Sequence, residues 1–347
     1  MDILLVGTYT QHDAPAVLEK QELGKGIYLI PYNETLGGVA GTSFIIQMQN
    51  PSWVCLVKNR LFAVSESEDA AEIVEYEVGV QEERLTAEKK AGLQMPGKAS
   101  CHIEKDEKGQ RLFVSDYGSG DLKVIDISEA GSPKLLQEIS FTGKGLDPER
   151  QEASHIHSCV LHRGDLYAAD LGCDKIYSFG TDKGKLLQKE TIEVRPGAGP
   201  RHMGILEKNG KTYLYVLNEL DITISVYCNG NLCQTISLEE NLPEGVLAAE
   251  LCIAEGKMLY ASVRGTGEIF GFTIDENGML NLKQKVVVPK GWFRSICLDS
   301  SEEHLLAADQ KTGKIYIFDR QSEGELGNQR VLVEVPVPVQ VLSGKIE

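Results

Sequence analysis

LLVGTY, residues 4–9, returns along the chain as LFAVSE (61–66), LFVSDY (112–117), LYAADL (166–171), LYVLNE (214–219), LYASVR (259–264) and LLAADQ (305–310). Each copy is a short apolar run that ends on polar or variable residues, and successive copies start 45 to 57 residues apart. Self-similarity at that period is the signature of a repeat architecture. Another apolar strand precedes six of the copies: PSWVCLV (51–57), ASCHIE (99–104), HSCVLH (157–162), RHMGIL (201–206), AELCIA (249–254) and FRSICL (293–298). A third strand follows each copy, as in GIYLIPY (26–32), LKVIDI (122–127) and KIYIFD (314–319), alternating with the period of two that a half-buried strand needs. A weaker fourth strand lies beyond it, for example FIIQM (44–48), and turn sequences such as EKNG and DENG separate strands.

Strands alone, in units of about 50 residues, predict an all-β fold: a seven-bladed β-propeller of four-stranded antiparallel blades. Seven units sharing a core make a single domain over residues 1–347. There are seven copies of the repeated strand but only six of the strand that precedes it. The tail supplies the seventh, because PVQVL (338–342) resembles the start of PSWVCL (51–56). One blade is therefore expected to be built from both chain ends, with the tail beside Leu4–Tyr9 and RVLVEV (330–335) on the outside of the preceding blade. Such closure removes free sheet edges, which otherwise template aggregation.

The net charge of −16 argues against nucleic-acid and anionic-membrane partners, which call for a basic face. It leaves room for a small anion held by a few arginines. No apolar run approaches the roughly 18 residues that span a bilayer. The N-terminus shows no charged leader and no small-residue cleavage site, which makes a cytoplasmic location the expectation. None of the eight cysteines forms a CxxC pair. Five of them, Cys55, Cys101, Cys159, Cys252 and Cys297, recur in the strand before the repeated one and read as small packing residues in a reducing compartment.

Polar residues gather where a first strand begins or a second strand ends. In a propeller both positions face the channel mouth. GLDPERQEASHIHS (145–158) with ADLGCDKIY (169–177) is the most specific block, followed by GAGPRHMGIL (197–206) with LNEL (217–220). SDYGSGDLKV (115–124), LYASVRG (259–265) and FRSICL with AADQ complete the pattern, which covers essentially the whole chain. In these motifs the sequence resembles the seven-bladed propeller lactonases, the family of the propeller-type 6-phosphogluconolactonases and the carboxymuconate lactonising enzymes. It departs in having Ala99-Ser100 where the family carries a proline, and in the long segment between Gln11 and Gly24.

The resemblance implies a lactone hydrolase acting on a small anionic (phospho)sugar lactone. Lactone opening needs a base to activate water and a cation or donor for the oxyanion, and an anionic substituent calls for arginines with paired planar donors. The candidate catalytic residues are His157, Arg201, Glu219 and Arg264, with His157 or Glu219 as the base and the arginines on the carbonyl oxygen or anionic group. The candidate substrate contacts are His155, His202, Arg294, Gln310, Glu66 and His102. His155 also has a structural reading, because one of two alternate residues points into the blade. Asp116 and Asp170 read as turn residues that hydrogen-bond between blades. HxH lacks a third ligand, so no metal is expected. GAGPRH lacks the helix and lysine of a phosphate loop, and no cofactor is expected. The oligomeric state stays open. A muconate-type cycloisomerase and a non-catalytic propeller that binds a ligand or protein are the alternatives, because propellers host many functions.

Overall fold

The computed structural model describes residues 1–106, 108–182, 184–239 and 244–347, and it is built from strands. They form seven antiparallel sheets, the blades of a seven-bladed β-propeller. Blade 1 runs Pro338–Lys345, Asp2–Thr8, Ile27–Asn33, with two short strands, Gly38–Val39 and Phe44–Ile46, both pairing with the third. Blade 2 runs Pro51–Val57, Arg60–Ser65, Ala71–Gln81, Arg84–Met95, and blade 3 runs Ser100–Lys105, Arg111–Asp116, Asp121–Asp126, Lys134–Ser140. Blade 4 holds Ile156–His162, Asp165–Asp170, Lys175–Asp182 and Lys185–Glu193; blade 5 holds Pro200–Lys208, Lys211–Asn218, Thr223–Cys228 and Asn231–Ser237. Blade 6 is Leu247–Ala254, Met258–Arg264, Glu268–Ile274, Leu280–Val287, and blade 7 is Phe293–Leu298, His304–Asp309, Lys314–Arg320, Leu326–Glu334.

The tail closes blade 1 as the strand count requires. Leu5 pairs with Leu342 and Val6 with Val341, in antiparallel register. Residues 330–334 fall in the outer strand of blade 7, as expected, and Val335 lies one residue beyond it. Among the described residues no helix is long and apolar enough to cross a membrane.

Burial explains why each strand takes its place. The second strand of blade 7, His304–Asp309, is buried on both faces, so its sequence HLLAAD shows no alternation. The outer strand of blade 3, Lys134–Ser140, alternates exposed and half-buried residues along its whole length, because only one side packs.

The chain divides into two compact units, residues 1–61, 76–89 and 249–347 in the first and residues 62–75 and 90–248 in the second. In the first unit Leu4, Val6, Ile30, Leu306, Ile317 and Val341 form one core cluster, and Met258, Tyr260, Phe293 and Phe318 anchor another. A third cluster, Tyr9, Ala14, Val337 and Val339 with Val17 and Leu23 against it, holds down the segment between Gln11 and Gly24. In the second unit Phe113, Leu122, Val124, Ile156, Tyr177 and Phe179 share one cluster, and Ile176, Leu214, Val216 and Tyr227 another.

The second unit also buries a lysine completely. Lys123, in the third strand of blade 3, bonds to Asp116 and lies 3.8 Å from Asp121 and 3.6 Å from Glu138. Ser100 Oγ donates to the other oxygen of Asp116 at 2.6 Å. Asp170 is likewise consumed internally, accepting from Ser154 Oγ, the His155 and Cys173 backbone N–H groups and Tyr177 Oη. Both aspartates are structural, as expected, but their bonds run within blades 3 and 4 and the adjoining turns rather than between blades.

Candidate active site

The first strands of blades 3, 4 and 5 pack on one another within the second unit, and each begins with a β-bulge. In blade 4 Ile156 and Ser158 oppose adjacent residues Asp170 and Ala169, which leaves His157 as the extra residue. In blade 5 Pro200 and His202 oppose Asn218 and Leu217, and Arg201 is the extra residue. Cys101 holds that position in blade 3. A bulge frees one residue from the ladder and re-aims its side chain. The pairing of chemistry with position is therefore geometric: the same backbone device carries a packing residue in blade 3 and candidate catalytic residues in blades 4 and 5.

The turn leading to Arg201 is built for that purpose. Gly197 and Gly199 have φ of 81° and 65°, and a Cβ on Gly199 would lie 2.6 Å from Leu220 Cγ. The Asp174 carboxylate accepts both of their N–H groups, at 2.7 and 2.8 Å. Gly199 O in turn accepts the Glu219 N–H at 2.7 Å, which fixes the start of the first strand against the end of the second.

Arg201 and Glu219 meet directly. Arg201 Nε lies 2.8 Å from Glu219 Oε2, with side-chain exposures of 4% and 2%. A buried carboxylate is costly without a cation. Glu219 has two, because Arg150 Nη2 donates to its Oε1 at 2.6 Å and lies 3.4 Å from Tyr117 Oη. Interaction with Glu219 raises the Arg150 pKa further, so this guanidinium stays charged at any working pH.

Three histidines adjoin the pair. The His202 ring stands edge-on to His102 at 5.5 Å between centroids and to His157 at 5.3 Å. His157 also meets the edge of Tyr117 at 5.6 Å, while His155 stacks flat on Tyr117 at 4.3 Å. Burial, with His202 and Arg201 nearby, drives the His102 pKa well below the usual imidazole range. His102 is therefore neutral, consistent with its Nδ1 accepting the Cys159 N–H at 3.5 Å. His155 Nδ1 bonds to Tyr117 O at 2.8 Å and its Nε2 lies 3.3 Å from Glu152.

The second unit thus brings together His157, Arg201, Glu219, His202, His102 and His155. Glu66, also in this unit, is half-buried just past the strand Arg60–Ser65. Two members of the cluster were not singled out from sequence, Arg150 and Tyr117. Arg150 lies in a loop with no strand periodicity, although it stands inside the most specific motif. Among the described residues no group of three or more His, Cys, Asp or Glu side chains is arranged to hold a metal ion.

The remaining candidates belong to the first unit. Arg264 closes the second strand of blade 6, is buried, and makes an isolated antiparallel bridge to Trp292. The Lys311 ammonium rests on the Trp292 ring, 3.3 Å from its centroid. Burial and the Arg264 charge lower the Lys311 pKa. Arg294 is the extra residue of the blade 7 bulge and lies over the Tyr9 ring at 5.0 Å. Gln310 is fully buried and bound to the segment between Gln11 and Gly24: its side-chain N–H donates to Pro15 O at 2.7 Å and its carbonyl accepts from Gln21 Nε2 at 2.5 Å.

Comparison with known proteins agrees with this geometry. The model of the family described as Lactonase, 7-bladed beta-propeller matches residues 3–343. A 6-phosphogluconolactonase of Bacillus subtilis is 27% identical over 97% of this chain and 96% of its own length. A 6-phosphogluconolactonase of Formosa agariphila is 32% identical over 86% of this chain and 90% of its own. Among solved structures, the periplasmic gluconolactonase of Pseudomonas aeruginosa superposes with a TM-score of 0.84 at 24% identity, covering 100% of this chain and 99% of that one, a likeness of fold.

Proposed function

Because this chain belongs to the seven-bladed β-propeller lactonase family, and is thereby a hydrolytic enzyme, we propose that it opens a sugar lactone of the 6-phosphogluconolactone type. The observation that carries the reading is the buried cluster of His157, His202 and His102 around the Arg201–Glu219 pair. Both Glu219 oxygens are engaged by guanidinium groups, at 2.8 and 2.6 Å. Glu219 is therefore the anchor of the arginines, and His157 is the base.

The steps follow from that assignment. His157 takes a proton from water as the water oxygen attacks the ring carbonyl carbon. Arg201 stabilises the charge that develops on the carbonyl oxygen, in a site from which water is largely excluded. The ring C–O bond then breaks, the leaving oxygen takes the proton from His157, and the product is the open-chain sugar acid. His102, held neutral, adds no positive charge beside Arg201 and leaves His202 and His157 packed in place. A reducing, cytoplasmic setting fits eight cysteines that are all free thiols.

The test is a substrate panel with purified protein: phosphorylated and unphosphorylated sugar lactones, and muconates. Hydrolysis lost in His157→Ala and Arg201→Ala, with an acid limb between about pH 5 and 8, supports a histidine base. Conversion of muconates without lactone hydrolysis assigns a cycloisomerase instead, and no turnover of either assigns a binding protein.

A further inference from the structure

Arg150 reaches the cluster from a loop that is latched to itself. The Asp147 carboxylate accepts the Glu149 and Arg150 N–H groups at 2.9 and 3.0 Å. Gln151 Oε1 accepts from Leu146 and Asp147 at 2.9 and 3.1 Å, and Gln151 Nε2 donates to Leu171 O at 2.8 Å, tying the loop to the end of the second strand of blade 4. Gly145 leaves room for this, because a Cβ there would meet the Gln151 amide at 2.5 Å.

The guanidinium that this loop presents is only partly used. Arg150 Nη2 makes both polar contacts, to Glu219 and Tyr117. Its Nε and Nη1 hydrogens bond nothing among the described residues. The side chain is 34% exposed while that of its anchor, Glu219, is 2% exposed. One nitrogen is thus fixed in the buried cluster while the side chain as a whole stays one-third exposed. A guanidinium held this way has already surrendered its rotamer freedom and still offers planar donors suited to an anion's oxygen pair.

Resting on the lactonase reading for the identity of the substrate, we propose that Arg150 is a specificity-determining residue, recognising a pendant anionic group of the lactone, a phosphomonoester or a second carboxylate. Recognition by charge-assisted donors raises the affinity for a substrate that carries the group and leaves one without it unaffected.

The experiment uses the full-length protein and the variants Arg150→Gln and Arg150→Lys. Calorimetry measures binding of 6-phosphogluconate, of gluconate and of a muconate-type tricarboxylate, which needs no turnover. In Arg150→Gln, affinity for the anion-bearing ligand falls about 10- to 100-fold, with gluconate affected less than about threefold; Arg150→Lys recovers part of the loss. Which of the two anionic ligands shows the loss identifies phosphate or carboxylate as the group recognised. In steady state kcat/KM falls further for the anionic lactone than for the unsubstituted one, by about that same ratio, and the difference between the two lactones lies in KM rather than in kcat. An equal fall in kcat on both lactones with binding unchanged overturns the proposal and makes Arg150 a positioning residue acting through Glu219. Failure of the unmodified protein to bind either anionic ligand also overturns it. Absence of lactone turnover alongside an Arg150-dependent anion affinity defeats the lactonase reading and leaves Arg150 as the residue that recognises the anionic group of another ligand.

Discussion

Replacing Glu219 by Gln tests the central pair most directly. The change keeps size and shape and removes one charge, so Arg201 Nε loses its charged partner at 2.8 Å and Arg150 Nη2 its own at 2.6 Å. Arg201 is 4% exposed at the side chain, and breaking a buried pair from one side costs about 3–5 kcal/mol because a buried charge stays behind. Arg150 is 34% exposed, so solvent screens its loss, which adds at most about 1 kcal/mol. The sum, about 3–6 kcal/mol, is a large part of the roughly 5–15 kcal/mol that holds a domain folded. At roughly 2 °C per kcal/mol for a chain of this size, the melting temperature falls by about 6–12 °C. Activity falls as well, by about 100- to 1000-fold in kcat/KM, because Arg201 no longer meets the oxyanion in a fixed orientation. Differential scanning calorimetry and steady-state kinetics on the same preparation read both numbers. If the melting temperature is unchanged while activity vanishes, Glu219 is a base with no anchoring role, and the assignment of His157 is wrong.

Other perturbations probe other parts of the fold. Lys123→Met leaves Asp116 buried without its ammonium and lowers stability by about 3–5 kcal/mol, while adding Asp116→Asn restores most of it; urea titration of the single and double variants decides. Deleting residues 338–347 strips Val339 and Val341 from the core and the whole ladder from Asp2–Thr8, a loss above about 5 kcal/mol; an unchanged melting temperature excludes the closure described here. The depressed His102 pKa means that the unfolded chain binds a proton below about pH 6.5 that the folded chain refuses, so stability contributed at neutral pH is lost as pH falls through that range. His102→Asn flattens that part of the pH–stability curve, and an unaltered slope refutes the effect.

The architecture was readable because every blade needs the same strand between the same two neighbours, and that strand is buried on both faces: LFAVS, LFVSD and LLAAD cannot vary much and still pack. His157, Arg201 and Arg294 were readable for a related reason, since each is the first strand's odd residue and stands out against Cys101 and Val339 in matching places. The bulge itself carries no residue code and so was not foreseen. Arg150 was hidden because its role depends on a hydrogen-bonded loop around Asp147 and Gln151, and Lys123 because a lysine in an alternating strand reads as solvent-facing until its three acidic neighbours are seen in space.

The strand Pro338–Lys345 has a consequence for how the molecule is made. Leu5 leaves the ribosome long before Leu342, yet they are ladder partners. While the blades between them are made, the strand Asp2–Thr8 waits with one edge unsatisfied, and its pairing with Pro338–Lys345 carries a very large sequence separation. Such a contact slows folding and exposes a sticky edge in the nascent chain. A circular permutant that links Glu347 to Met1 and opens the chain at an exposed turn makes that pairing local. It is expected to refold faster than the natural chain while arriving at the same blades.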